Sequence, residues 1–185
     1  MNPYPPNFSN GHSNGYHTPS NGHNRKMNVQ SFPRPPLLEK CNKHIQIKWH
    51  GQLIADVPPG EGAYWVLETH HAPTYYVPAS SVRIPIATTP KSSFCEWKGQ
   101  ATYYSMMSPI DANNTCMNRI WAYQEPSKGY EALKGLLGFY VGPWECYVDG
   151  ERAHPQPGDY YAGWVTSEIE GVIKGPWGNW DPVIG

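Results

Sequence analysis

Apolar and polar positions alternate at several places along the chain, the spacing that puts every second side chain on one face of a strand. Residues 44–49 run His, Ile, Gln, Ile, Lys, Trp, and the apolar pattern resumes at Leu53, Ile54 and Ala55 after His50, Gly51 and Gln52. This predicts a β-hairpin closed by a tight turn at Gly51. Further strands are predicted at residues 63–68, 74–77, 102–106, 119–123, 139–141 and 145–148, the last followed by an Asp149-Gly150 turn signal. Residues 82–86 read as an edge strand, because Pro85 has no N–H to give to a ladder. One stretch departs from the period of two. Tyr130, Leu133, Lys134 and Leu137 recur at helical spacing behind Ser127 as N-cap, predicting a helix of two or three turns limited by Gly135 and Gly138.

The ends of the chain read differently. Residues 1–28 form a low-complexity tail with near-repeats such as Ser9-Asn10-Gly11-His12 and Ser20-Asn21-Gly22-His23. With almost no aliphatic side chains, such a segment cannot offset the entropy of ordering itself, so it is expected to be disordered. Its three loosely spaced histidines leave two readings, a metal-binding tract or a solvated low-complexity tail, and the second is preferred. The Pro-rich entry at residues 32–36 is expected to lie against the domain, since Leu37 and Leu38 follow and favour burial. Beyond residue 159, Trp164, Ile169, Ile173, Trp177 and Trp180 hold more apolar area than a free tail keeps, so this arm is expected to pack as well. The expected architecture is mainly β: a small twisted antiparallel sheet, flat or rolled into a half-barrel, with one short helix and packed terminal arms. Residues 29–185 would form a single domain.

Composition agrees with short strands and many turns. Eight Trp, thirteen Tyr and four Phe favour pleated, half-buried positions, while twenty Pro and eighteen Gly leave little room for long helices. The formal net charge of −1 supplies no excess positive charge, so no nucleic-acid partner is expected. No apolar run approaches the roughly 20 residues needed to cross a bilayer, and no membrane partner is expected either. Cys41, Cys95, Cys116 and Cys146 form no Cys-x-x-Cys pair, so reduced thiols in the cytoplasm are expected.

Four blocks carry a likeness to a known family. They are residues 66–78 (Val-Leu-Glu-Thr-His-His-Ala-Pro-Thr-Tyr-Tyr-Val-Pro), 93–104 (Ser-Phe-Cys-Glu-Trp-Lys-Gly-Gln-Ala-Thr-Tyr-Tyr), 120–126 (Ile-Trp-Ala-Tyr-Gln-Glu-Pro) and Gly138-Phe139-Tyr140. Together they resemble the domain of unknown function 427 family, and the flanks at 31–36 and 158–166 resemble its longer variant from cyanobacteria and fungi. The resemblance covers about residues 31–176 and implies a compact, β-rich fold. The family also carries a nucleotidyltransferase-like label. Such chemistry normally needs carboxylates holding Mg²⁺, and the matching blocks contain no Asp-x-Asp or Asp-x-Glu pair.

Within these blocks, Glu68 stands at a strand end among aromatic residues, and Lys98 is the candidate cation for it. Such a pair could act as a general acid/base couple, grip a polar ligand, or be purely structural. Cys95 is a candidate nucleophile because Lys98 is near in sequence, although Glu96 opposes a lowered thiol pKa. His70 and His71 are neighbours, so on an extended strand only one can face a given pocket; His70 is taken as the candidate base. Tyr75, Trp97, Tyr103 and Trp121 are candidate ligand-binding residues that could stack on a flat ring. No cofactor and no metal ligand set is nominated. The sequence leaves two readings open: a domain that binds or acts on a small polar or nucleotide-like ligand, and a non-catalytic interaction module.

Overall fold

The computed structural model describes residues 26–158 and 160–176, with the backbone of residues 180–183. The low-complexity repeats and their histidines lie outside the described residues, as do Trp177 and the side chain of Trp180. The chain runs through β1 (Met27–Asn28), β2 (Leu37–Lys40), β3 (Ile45–Trp49), β4 (Gln52–Val57), β5 (Tyr64–Leu67) and β6 (Thr74–Pro78). Next come β7 (Ile86–Cys95), β8 (Gly99–Met107), β9 (Thr115–Tyr123), β10 (Leu136–Phe139), β11 (Glu145–Val148) and β12 (Glu151–Arg152). The last strands are β13 (His154–Pro155), β14 (Trp164–Val165), β15 (Ile169–Lys174) and β16 (Trp180–Val183). The fold is mainly β, as expected, and among the described residues no sheet closes into a barrel.

Seven strands form one antiparallel sheet in the order β2-β5-β6-β10-β9-β8-β7. A second sheet, β12-β11-β3-β4, supplies apolar side chains to the same buried cluster as one face of the first. Strand alternation divides the residues of the large sheet. Trp65, Tyr75, Val77, Tyr104, Ile120, Ala122, Leu137 and Phe139 join Ile45, Ile47, Ile54 and Cys146 of the small sheet in the main core. Their neighbours in sequence, Val66, Tyr76, Tyr103, Trp121, Tyr123 and Leu136, form a separate cluster on the outer face. One run of side chains seals the interior; the other is left to build something else.

The predicted helix is replaced. Only Glu131–Leu133 turns, as one 3-10 turn, and no helix among the described residues reaches seven residues. Gly135 takes a left-handed φ of 81° and redirects the chain into β10, where Leu136 and Leu137 face opposite sides of the sheet. Tyr130 and Leu133 instead join the outer-face cluster. The predicted edge strand over 82–86 also changes: Val82 makes only an isolated bridge with Ala55, and β7 begins at Ile86, after Pro85.

The flanking segments among the described residues are tied down. Met27 and Asn28, placed with the tail by composition, pair in parallel with Ile169 and Glu170. Trp164 is 1% exposed, sits in the main core, and donates its indole N–H to the Phe139 carbonyl.

Candidate functional site

On the outer face of the large sheet lies a hollow of about 640 Å³. Its floor is a cross-strand row set by register. Tyr76 opposes Gly138, Gly138 opposes Trp121, and Trp121 opposes Tyr103. Gly138 is what lets Trp121 lie across the sheet: a Cβ there would come within 2.4 Å of Cε2 and Cζ2 of the indole. Tyr76 meets Trp121 edge-on at 5.9 Å, and Tyr140 does so at 5.0 Å.

Two turns bring the polar groups to this floor. Glu68 follows β5 directly, and the N–H of His71 closes a turn on the Glu68 carbonyl. His70 takes a left-handed φ of 62° inside that turn. As a result His71, not the nominated His70, lines the hollow. The Nδ1 of His71 lies 2.9 Å from the Thr69 carbonyl, an acceptor only, so Nδ1 carries the proton and Nε2 is left as the ring's acceptor. Burial holds the His71 pKa below its ordinary value, against the pull of Glu68 and of the Thr69 contact. The second turn is the three-residue loop between β7 and β8. Cys95 pairs with Gly99, whose φ of 97° closes a hairpin that presents Glu96, Trp97 and Lys98. Ser127 N–H binds the Lys98 carbonyl at 3.1 Å and fixes the loop.

The strand end bearing Glu68 and the loop bearing Trp97 and Lys98 therefore face one shared cavity, together with Cys95, Tyr103 and Trp121. Lys98 is half-buried, with Nζ 6.0 Å from the Tyr123 ring centre. Burial opposes its charge, but Tyr76, Cys95 and Glu68 more than offset this and hold the Lys98 pKa above its ordinary value. Glu68 and Lys98 do not form a direct ion pair. Arg34 lies between the two acids of the site, 3.9 Å from Glu68 and 2.9 Å from Glu96, with its guanidinium over Trp97.

Tyr75 falls elsewhere. It is 1% exposed on the opposite face of the sheet, packed against Trp65 and Trp164, and burial raises its hydroxyl pKa well above the ordinary range. Its neighbour Tyr76 takes the place in the hollow. Register decides this, because Tyr64 and Val66 share Glu68's side and pair with Tyr76 and Thr74. Arg34 and Tyr161 lie in the flanks that resemble the family's longer variant, but neither their type nor their spacing marks a site role, and nothing marks Lys174; all three line the cavity. Tyr161 stands edge-on to His71 at 4.8 Å. Gln156, 1% exposed, accepts from Ala72 N–H and donates to the Lys174 carbonyl, binding this wall to the His71 turn. Gly163 is pressed so close that a Cβ would lie 2.3 Å from the Gln156 Oε1. Among the described residues no cluster of three or more His, Cys, Asp or Glu side chains is placed to hold a metal ion.

No curated protein matches the chain. A family model does, over residues 37–152, which is more than half of the sequence. The four sequence blocks and most of the cavity floor fall inside that span, and so the chain belongs to the family described as domain of unknown function 427 (DUF427).

Proposed function

We propose that this chain binds, and supports proton transfer on, a small polar or nucleotide-like ligand held in the outer-face hollow. The observation that carries this reading is the meeting of the Glu68 and Trp97-Lys98 segments at one cavity of about 640 Å³, within the usual range of roughly 300–1,000 Å³ for small-molecule sites. Trp97, Trp121 and Tyr103 offer faces or edges for a flat ring. Lys98, held protonated, is suited to donate a hydrogen bond or a proton. His71, held neutral with Nε2 as acceptor, is suited to receive one, and Glu68 is the second base. Cys95 lies beside them as a further polar contact. Glu68 and Glu96 both turn to Arg34, so they do not present a ready pair for Mg²⁺. That favours binding or acid–base work over literal nucleotidyl transfer. The four free thiols fit a reducing, cytoplasmic setting.

A second reading, the non-catalytic interaction module, draws on Met107, Ile110 and Met117. These are exposed at the far end of the β8–β9 hairpin, a patch separate from the cavity lining. A thermal-shift screen of nucleotides, sugars and metals separates the two, because a specific ligand stabilises the folded state in proportion to its affinity. Glu68→Gln and Lys98→Met should each abolish the ligand-induced shift. Unchanged shifts in both variants would remove these residues from the site.

A further inference from the structure

The charges around the hollow run against the charge of the molecule. Arg34, Lys91, Lys98 and Lys174 line it with two carboxylates, Glu68 and Glu96, which leaves it net positive by two in a chain whose formal charge is −1. Both carboxylates are engaged by the single Arg34 guanidinium. Among the described residues, none forms an ion pair with the ammonium groups of Lys91, Lys98 or Lys174.

Two of these lysines rest instead on rings. The Nζ of Lys91 stands 4.4 Å from the Tyr103 ring centre, and that of Lys98 stands 6.0 Å from the ring of Tyr123. A ring face orients an ammonium without cancelling its charge, whereas a carboxylate would do both. Lys174 is fixed through its backbone, N–H to the His70 carbonyl and carbonyl to the Gln156 side chain, which plants its flexible stem at the cavity wall. Lys91 is exposed and Lys174 half-buried, so the cost of withdrawing an ammonium from water without a carboxylate partner falls mainly on Lys98.

On the reading of the hollow as a ligand site, we propose that the ligand carries a phosphate-type dianion, held by Lys91, Lys98 and Lys174 while its planar part lies against Trp97 and Trp121. The net positive charge of the lining matches the roughly −1.5 to −2 that a phosphate monoester carries at neutral pH. A carboxylate, with a single charge, would leave part of it uncompensated.

The test is titration calorimetry on the full chain with adenosine 5′-monophosphate, adenosine and inorganic pyrophosphate, at low and moderate salt. The monophosphate should bind at least about tenfold more tightly than adenosine, a difference of about 1.4 kcal/mol. Its affinity should fall as salt rises, because exposed ion pairs are screened. Lys174→Met should weaken the monophosphate about tenfold or more and leave adenosine unchanged, Lys98→Met should weaken the monophosphate by at least as much, and Lys98→Arg retains most of the affinity. Pyrophosphate binding that is lost in Lys98→Met also supports the assignment. Equal affinity for adenosine and its monophosphate, with Trp97→Ala weakening both, overturns the dianion proposal and leaves the cavity as a site. If none of the three probes binds, the proposal and the reading it rests on fall together.

Discussion

At the scale of single residues, the hollow is tuned by what each group gives up on burial. The His71 pKa is held down by desolvation, so the unfolded chain takes up a proton on this ring more readily than the folded one. A group shifted in this direction contributes stability that is complete above its unfolded value of about 6.5 and is lost as pH falls through the folded value. Melting temperature should therefore decline from about pH 6.5 downward, and His71→Gln should flatten that decline in a pH series of thermal melts. Asp56 acts in a lower window. Its hydrogen bond to the His44 ring, working against the burial penalty with help from Gln46, the His44 charge and Arg83, holds its carboxyl below the ordinary value of 3.8. Its contribution is present above that value and is lost only in stronger acid, so Asp56→Asn should lower the melting temperature slightly above about pH 4, by a small amount because the pair is partly exposed, and the difference should vanish in stronger acid.

At the scale of elements, the closest fit is between β10 and β9. Gly138→Ala should lower unfolding stability by about 1–3 kcal/mol in denaturant titrations, because the new methyl must push the Trp121 ring out of its place. A melt unchanged by Gly138→Ala would mean that Trp121 has a second comfortable position. The same region shows where the sequence was and was not readable. The strands β3 and β11 are legible because Ile45, Ile47, Cys146 and Val148 alternate with half-buried residues, whereas β4 breaks the alternation at Ile54 and Ala55, both buried. The 130–137 stretch misleads because Tyr130 and Leu133 are buried on one face while Leu137 belongs to the other, so helical spacing arose from a turn feeding a strand. Most of β7 is exposed Thr, Ser, Pro and Lys, which leaves no apolar period to detect. Candidate residues on the 93–104 block were legible from their types. The choice of His71 over His70 and of Tyr76 over Tyr75 was not, because each turns on a left-handed residue or on strand register.

At the scale of the whole molecule, segments outside the family-matched span complete the cavity. Arg34 comes from before it, and Gln156, Tyr161 and Lys174 come from after it. Trp164 is the peg that holds the second of these arms, so Trp164→Ala should cost about 3–5 kcal/mol. For a chain of this size that corresponds to a melting temperature lower by roughly 6–20 °C, with ligand-induced stabilisation weakened as well. Neither effect would appear if the arm were a passive cover. The alternation along β5, β6, β8 and β9 has a mechanical outcome. Slipping β6 or β9 by one position would carry Tyr76 or Trp121 into the sealed interior and expel Tyr75 or Ile120 to the open side. An occupant of the hollow would then act as a pin across neighbouring strands, and its arrival should be felt as slower amide exchange on the far side, at residues it never touches.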